Sequence, residues 1–336
     1  MKTYTFWNNK GGTGKTSLCF QTSVQYAIDH PDERILVIDL CPQANLSELI
    51  LGGLEGNGNN NLTSLFHLNG RRVTIGGYFD DHNKSAYTMI PNFQASNYIC
   101  QPCGVNQNIP QNVFLLAGDP YVEQLVNSMS ALASINIANI NTYISVVGWI
   151  KDFLDTISDE YSMVFIDTNP SFAIYTQMAI AASDFLIIPL TADDSSVRAV
   201  YNLLSLVYGI NGNSSIPNTF SSQMTIAHKP LPQIHMVIRN RLTQYTGTAR
   251  AYSAILNSIN LLIQQLQNHY NNKLSPNFQT IDIRDFQSTG VVAYAQAKVF
   301  TQLAQGMTKV DGQDVQLTAA NISNCKDAIA QIVNNL

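Results

Sequence analysis

The sequence predicts an α/β fold, a doubly wound and mostly parallel sheet with helices on both faces. Short apolar strands alternate with helical patterns along the chain. Those strands are near-continuous apolar runs, as strands buried on both faces require. Three of them are followed by polar residues of the kinds that touch nucleotides, at the carboxyl ends where ligands sit in such sheets. The chain has 336 residues, 45% of them hydrophobic, enough to build one large core. A single domain over 1–336 with surface insertions is therefore expected.

The first strand is the run 3–7, Thr-Tyr-Thr-Phe-Trp. It leads into Asn8-Asn9-Lys10-Gly11-Gly12-Thr13-Gly14-Lys15-Thr16-Ser17. Gly11, Gly12 and Gly14 free consecutive backbone N–H groups to turn toward phosphate oxygens. Lys15 is placed to reach the β- and γ-phosphates of ATP, and the Thr16 hydroxyl to ligand Mg²⁺. The helical pattern 17–29 presents its positive N-terminus, with Ser17 and Thr13, to the same anion. After a Pro-Asp-Glu turn, the run 34–39 is the second strand and ends on Asp39. Residues 52–112 break the rhythm with Gly, Asn and Pro clusters. They keep Tyr78, Phe79, Tyr87 and Phe93, which predicts a partly folded insertion or small lobe. The runs 162–167, 185–189 and 234–238 are further strands, with Asp167 closing the first, and 211–232 is a second polar insertion. Ile322, Cys325, Ile329, Ile332 and Val333 recur at helical spacing and make 317–336 a docked C-terminal helix. Lys326 is the one positive charge on its polar face, so an anionic membrane would attract it weakly.

Net charge is −5, unevenly spread. Residues 1–194 carry 8 Lys+Arg against 18 Asp+Glu, whereas 195–281 hold no acid and include Arg198, Lys229, Arg239, Arg241, Arg250 and Lys273. That stretch is either an anion- or nucleic-acid-binding face or a neutral Asn/Gln/Ser surface with scattered cations. No basic start followed by an apolar run opens the chain, and Asp184 interrupts the best membrane candidate, 179–190. Five irregularly spaced cysteines point to a reducing compartment, and a cytoplasmic protein is expected. Cys100 and Cys103 form a pair without a second pair at zinc spacing, so they read as loop cysteines unless a dimer supplies two pairs.

Lys10, five residues before Lys15, and the adjacent Gly11-Gly12 resemble the deviant Walker A box of the ParA/MinD superfamily, whose fold is the SIMIBI type of P-loop NTPase. Residues 38–46, Ile-Asp-Leu-Cys-Pro-Gln-Ala-Asn-Leu, resemble its Walker A′ segment. Residues 165–171, Phe-Ile-Asp-Thr-Asn-Pro-Ser, resemble Walker B and switch II, and 113–119 the strand and turn between them. The resemblance implies a homodimer with ATP sandwiched between protomers and Lys10 crossing to the partner's nucleotide. It makes Lys10, Lys15, Asp39 and Cys41 the catalytic set and Asp167 the Mg²⁺ residue, acting through water. It also implies adenine contacts at Asn240, Arg284 and Asp285, and DNA contacts at Arg239, Arg241 and Arg250. One departure matters: Cys41 stands where the family has the Asp that orients the attacking water, and a thiol is a poor substitute. Either Asp39 or Asn45 takes over, or turnover is slow. The closest resemblance is to ParA-type partition ATPases, which bind DNA without sequence preference in the ATP state, hydrolyse ATP slowly under a ParB-type adaptor and associate with the nucleoid. A regulatory or scaffold subunit acting on a protein complex without DNA is the alternative.

Overall fold

The computed structural model describes residues 1–210, 219–242 and 249–336. Seven strands form one parallel sheet: β1 Lys2–Phe6, β2 Ile35–Asp39, β3 Val113–Leu116, β4 Met163–Asp167, β5 Phe185–Thr191, β6 Gln233–Leu242 and β7 Leu274–Arg284. Their order is β3-β2-β4-β1-β5-β6-β7. The chain winds outward from β1 in one direction through β2 and β3, returns at β4, then proceeds the other way. The loop after β1 therefore opens at the switch point, where such sheets bind ligands. A separate antiparallel hairpin joins β8 Gly306–Val310 to β9 Gln313–Leu317.

Alternate side chains of the central strands enter opposite cores. Ile35 and Val37 pack with the helices Lys15–Asp29 and Ala319–Val333 on one face. Leu36 and Ile38 pack on the other with Ile75–Asn83, Tyr121–Ser134, Trp149–Thr156 and Ile174–Ala181. The expected strands are all present, shifted or shortened by a residue or extended. β7 and the β8–β9 hairpin were not foreseen. β7 is an edge strand whose outward residues are polar and which tolerates Pro276, so its apolar signal is confined to alternate positions such as Ile281 and Ile283.

Segment 52–112 forms the helices Gly58–Leu65 and Ile75–Asn83 and two short 3-10 turns. Its Tyr78, Phe79 and Tyr98 are buried in the same cluster as Leu36 and Ile38. Arg72 grips the fully buried Asp119, which also accepts from the Thr74 hydroxyl and the Tyr121 N–H. Cys100 pairs its backbone with Leu115 at the end of β3. Among the described residues no cluster of three or more His, Cys, Asp or Glu side chains is arranged to hold a metal, and no helix is long and apolar enough to cross a membrane. Of the polar insertion expected over 211–232, residues 211–218 lie outside the described set, and the remainder includes the helix Phe220–Ile226.

The C-terminal part clasps the first helix. Gln21 accepts from the Phe300 N–H and donates to the Lys298 carbonyl, Thr301 donates to Gln25, and Tyr4 donates to the Leu336 carbonyl.

His82 is a buried liability on the other face. It stacks on Trp149 at 4.6 Å, and neither ring nitrogen makes a hydrogen bond of normal geometry. Burial pulls its pKa down to about 4. The unfolded chain binds the proton first, so this contribution to stability is intact above pH 6.5 and is lost as pH falls toward 4. The buried Asp39 and Asp167, whose pKa values are raised, act in the opposite sense, so a comparison isolates the histidine. The difference in unfolding free energy between wild type and His82→Phe, from urea melts, is expected to fall by up to about 3 kcal/mol over that window. A flat difference would remove His82 as the cause.

Candidate nucleotide site

Strand β1 ends at Phe6, and the chain then makes the glycine loop before the helix Lys15–Asp29. Asn8 anchors this loop: its amide donates to the Pro189 carbonyl on β5 at 2.7 Å, and its oxygen accepts the Lys10 N–H at 3.0 Å. Gly12 and Gly14 adopt φ +74° and +92°, the left-handed region that glycine enters without strain. A Cβ at Gly11 or Gly12 would meet nothing within 4 Å, so the loop backbone is open to an incoming group. At Gly14 a Cβ would run into the Asn240 amide.

Lys15 is buried, and its ammonium donates to the Asn8 and Lys10 carbonyls at 3.2 and 3.1 Å. Burial lowers its pKa, while Asp167 pulls the other way. Thr16 donates its hydroxyl to Asp167 Oδ2 at 2.7 Å. The other oxygen, Asp167 Oδ1, is buried without a hydrogen-bond partner, as is the Thr13 hydroxyl. Burial, reinforced by the Asp39 carboxylate, pushes the Asp167 pKa up. A buried carboxylate with one orphaned oxygen beside a threonine hydroxyl fits a hard divalent cation, which prefers oxygen donors and would supply the missing positive charge.

Asp39 and Asp167 lie in register on the adjacent strands β2 and β4. Asp39 is fully buried, and both its oxygens are engaged by the protein. Oδ1 accepts the Cys41 N–H, and Oδ2 accepts the Ser47 N–H and hydroxyl. Ser47 in turn accepts the Gly118 N–H. Asp39 thus braces the turn that carries Cys41, and Asn45 is exposed at the start of the next helix. The Cys41 thiol is pushed up to about 12 by burial, then by Asp39 and Asp167, so it stays protonated. Cys41→Asp restores a carboxylate at this position. It is expected to raise the steady-state ATPase rate several-fold in a phosphate-release assay; an unchanged or lower rate would clear Cys41 as the weak link.

Lys10 reaches back along β5, where its ammonium pairs with Asp193 and donates to the Thr191 hydroxyl at 2.8 Å. Asn240, expected at the adenine edge, is buried and donates to the Thr13 carbonyl at 3.0 Å, bracing the glycine loop.

Beside the first helix lies a cavity of about 410 Å³, lined by Ser17, Phe20, Arg241, Phe286, Gln287 and Tyr294 among others. Asp285 lines it too. Arg284 instead lines a neighbouring cavity bordered by the C-terminal helix. Arg241, expected as a DNA contact, lines the cavity beside the first helix. Arg239 is held by Asp282 and Asn260 across the β6–β7 edge. The Arg250 side chain lies outside the described residues. Sequence reasoning missed Ser47, Thr191, Asp193 and Gln287. Only Asp193 left a local signal, as the capping residue ahead of Ser195 and Ser196.

A glycine loop opening a helix at the switch point, with a buried lysine and a threonine–aspartate pair beneath it, defines a P-loop nucleotide-binding protein. A family model described as "AAA domain" matches residues 1–218, and the chain belongs to that family, in its ParA/MinD-like group of P-loop ATPases. A virulence-plasmid ParA family protein of Chlamydia psittaci is 25% identical over 216 residues, 64% of this chain and 67% of that protein. Among solved structures, the fold is shared with a variant of Cyanothece McdA in complex with ATP. That likeness has a TM-score of 0.57 and 17% identity, over 98% of this chain and 96% of that one. A plasmid partition protein from Borrelia burgdorferi aligns at TM-score 0.52 and 15% identity, over 100% and 99% of the two chains.

Proposed function

We propose that this protein is an ATP-dependent dimerising switch of the ParA type that partitions or positions DNA or another cargo. The observation that carries the reading is the loop itself. One lysine, Lys15, is buried under the glycines, and a second, Lys10, roots in the same loop but extends a partly exposed side chain out of it to Asp193. Lys15 and the loop N–H groups would hold the phosphates, with Thr16 and Asp167 holding Mg²⁺. The metal would neutralise charge on the transferred phosphoryl group. The cavity beside the first helix would take the base, with Arg241, Phe286 and Gln287 on its walls. Two such protomers would face each other across the nucleotides, each Lys10 completing the opposite site. Hydrolysis would be slow because Cys41 remains a neutral thiol, and a ParB-type adaptor would stimulate it. The setting would be cytoplasmic and nucleoid-associated, with phosphate contacts giving non-specific DNA binding.

The fate of Arg239 favours a second reading, an ATP-dependent regulatory or scaffold subunit that acts on a protein complex. Two of its five N–H donors are committed to Asp282 and Asn260, and the Asp282 carboxylate offsets the charge a DNA phosphate would seek. One experiment separates the two: binding to a random-sequence duplex at low and moderate salt with ATP, ADP or no nucleotide, and Lys10→Ala as control. Binding that needs ATP and Lys10 and weakens with salt is the expected result. ATP-driven dimerisation with no DNA binding in any state would transfer the reading to the scaffold.

A further inference from the structure

Lys10 is the residue on which the dimer reading depends, and the fold gives it a partner in its own chain. Its backbone N–H is fixed by Asn8, itself tied to Pro189 of β5, and its ammonium lies at the end of the same strand on Asp193 and Thr191. Asp193 divides its two oxygens between two tasks. Oδ1 caps the helix Asp194–Tyr208 through the Ser195 and Ser196 N–H groups and the Ser195 hydroxyl. Oδ2 takes Lys10 and the Thr191 hydroxyl.

We propose that Asp193, supported by Thr191, is a positioning residue that latches Lys10 onto its own protomer, so that closing the ATP dimer requires exchanging this grip for the partner's nucleotide. The inference rests on the dimer reading above and adds what opposes closure. The pair is partly exposed, with side-chain accessibilities of 25% and 42%. An ion pair so placed is worth up to about fivefold in an equilibrium constant, weak enough to break reversibly. Each dimer breaks two, so the latch would raise the protein concentration needed for ATP-driven dimerisation by up to about 25-fold. It would also keep Lys10 from engaging in protein that has bound nucleotide but met no partner.

The division of labour within Asp193 supplies the test. Asparagine caps helices about as well as aspartate but carries no charge, so Asp193→Asn opens the latch and keeps the cap, whereas Asp193→Ala removes both. In nucleotide-free full-length protein, brief acylation with an N-hydroxysuccinimide acetate followed by mass spectrometry compares Lys10 with the exposed Lys309. The Lys10:Lys309 ratio is expected to rise about threefold or more in Asp193→Asn, and an unchanged ratio overturns the latch. Sedimentation velocity with Mg-ATP is then expected to show Asp193→Asn dimerising at roughly tenfold lower concentration than wild type. Equal or weaker dimerisation overturns the regulatory claim. A wild type that stays monomeric with saturating Mg-ATP overturns the dimer reading, and with it the opposition to closure. The labelling ratio, read without nucleotide, decides the latch independently.

Discussion

Lys15→Gln is expected to weaken Mg-ATP binding by at least about a hundredfold in a calorimetric titration while leaving the fold intact. A lysine ammonium facing two phosphates makes charge-assisted hydrogen bonds worth about 1.5–3 kcal/mol each, and a glutamine amide cannot supply the charge. Losing about 2.7 kcal/mol is a hundredfold in affinity. The fold survives because the glutamine amide can still donate to a loop carbonyl, as Lys15 does to Asn8 and Lys10. It also removes a cation that burial disfavours. Binding within fivefold of wild type would mean that the loop does not hold the phosphates.

Gly14→Ala is expected to cost about 2–3 kcal/mol of folding stability, read from urea or thermal melts. At φ +92° an L-residue is strained by about 1–2 kcal/mol. The new methyl must also displace the Asn240 amide and break its bond to Thr13, at about 1 kcal/mol more. Gly11→Ala is the control, since its Cβ would enter open space at an ordinary φ, and it is expected to stay within about 0.5 kcal/mol of wild type. Equal losses at both positions would show that the Asn240 brace is not the cause.

The parts of the site that are close in sequence were legible in it. The glycine loop, Lys15, Thr16 and the strand-end Asp39 and Asp167 follow from local chemistry: glycines where backbone must turn, acids at the ends of apolar strands. What was not legible depends on register between distant strands. Arg239 read as free because residues 195–281 contain no acid, yet Asp282, the next residue, pairs with it in register across β6 and β7. Nothing near Lys10 announces Asp193, which meets it only because β5 runs beside β1. Asn240 has the polarity of a base contact, and only the three-dimensional arrangement reveals that it touches the Thr13 carbonyl. The polar edge strand β7 was obscured for the same reason, its solvent side masking the alternation of its buried side.

The clasp of the C-terminal part around the first helix has a consequence for the order in which the protein is made. A ribosome releases the glycine loop first, but the bonds from Lys298, Phe300 and Thr301 to Gln21 and Gln25 come from residues more than 270 positions further along the chain. Phe286, Gln287 and Tyr294, which wall the cavity beside the first helix, also arrive late. A nascent chain therefore carries a phosphate loop long before it has a finished pocket. The first helix thus waits for partners made far later in the chain before its packing is finished.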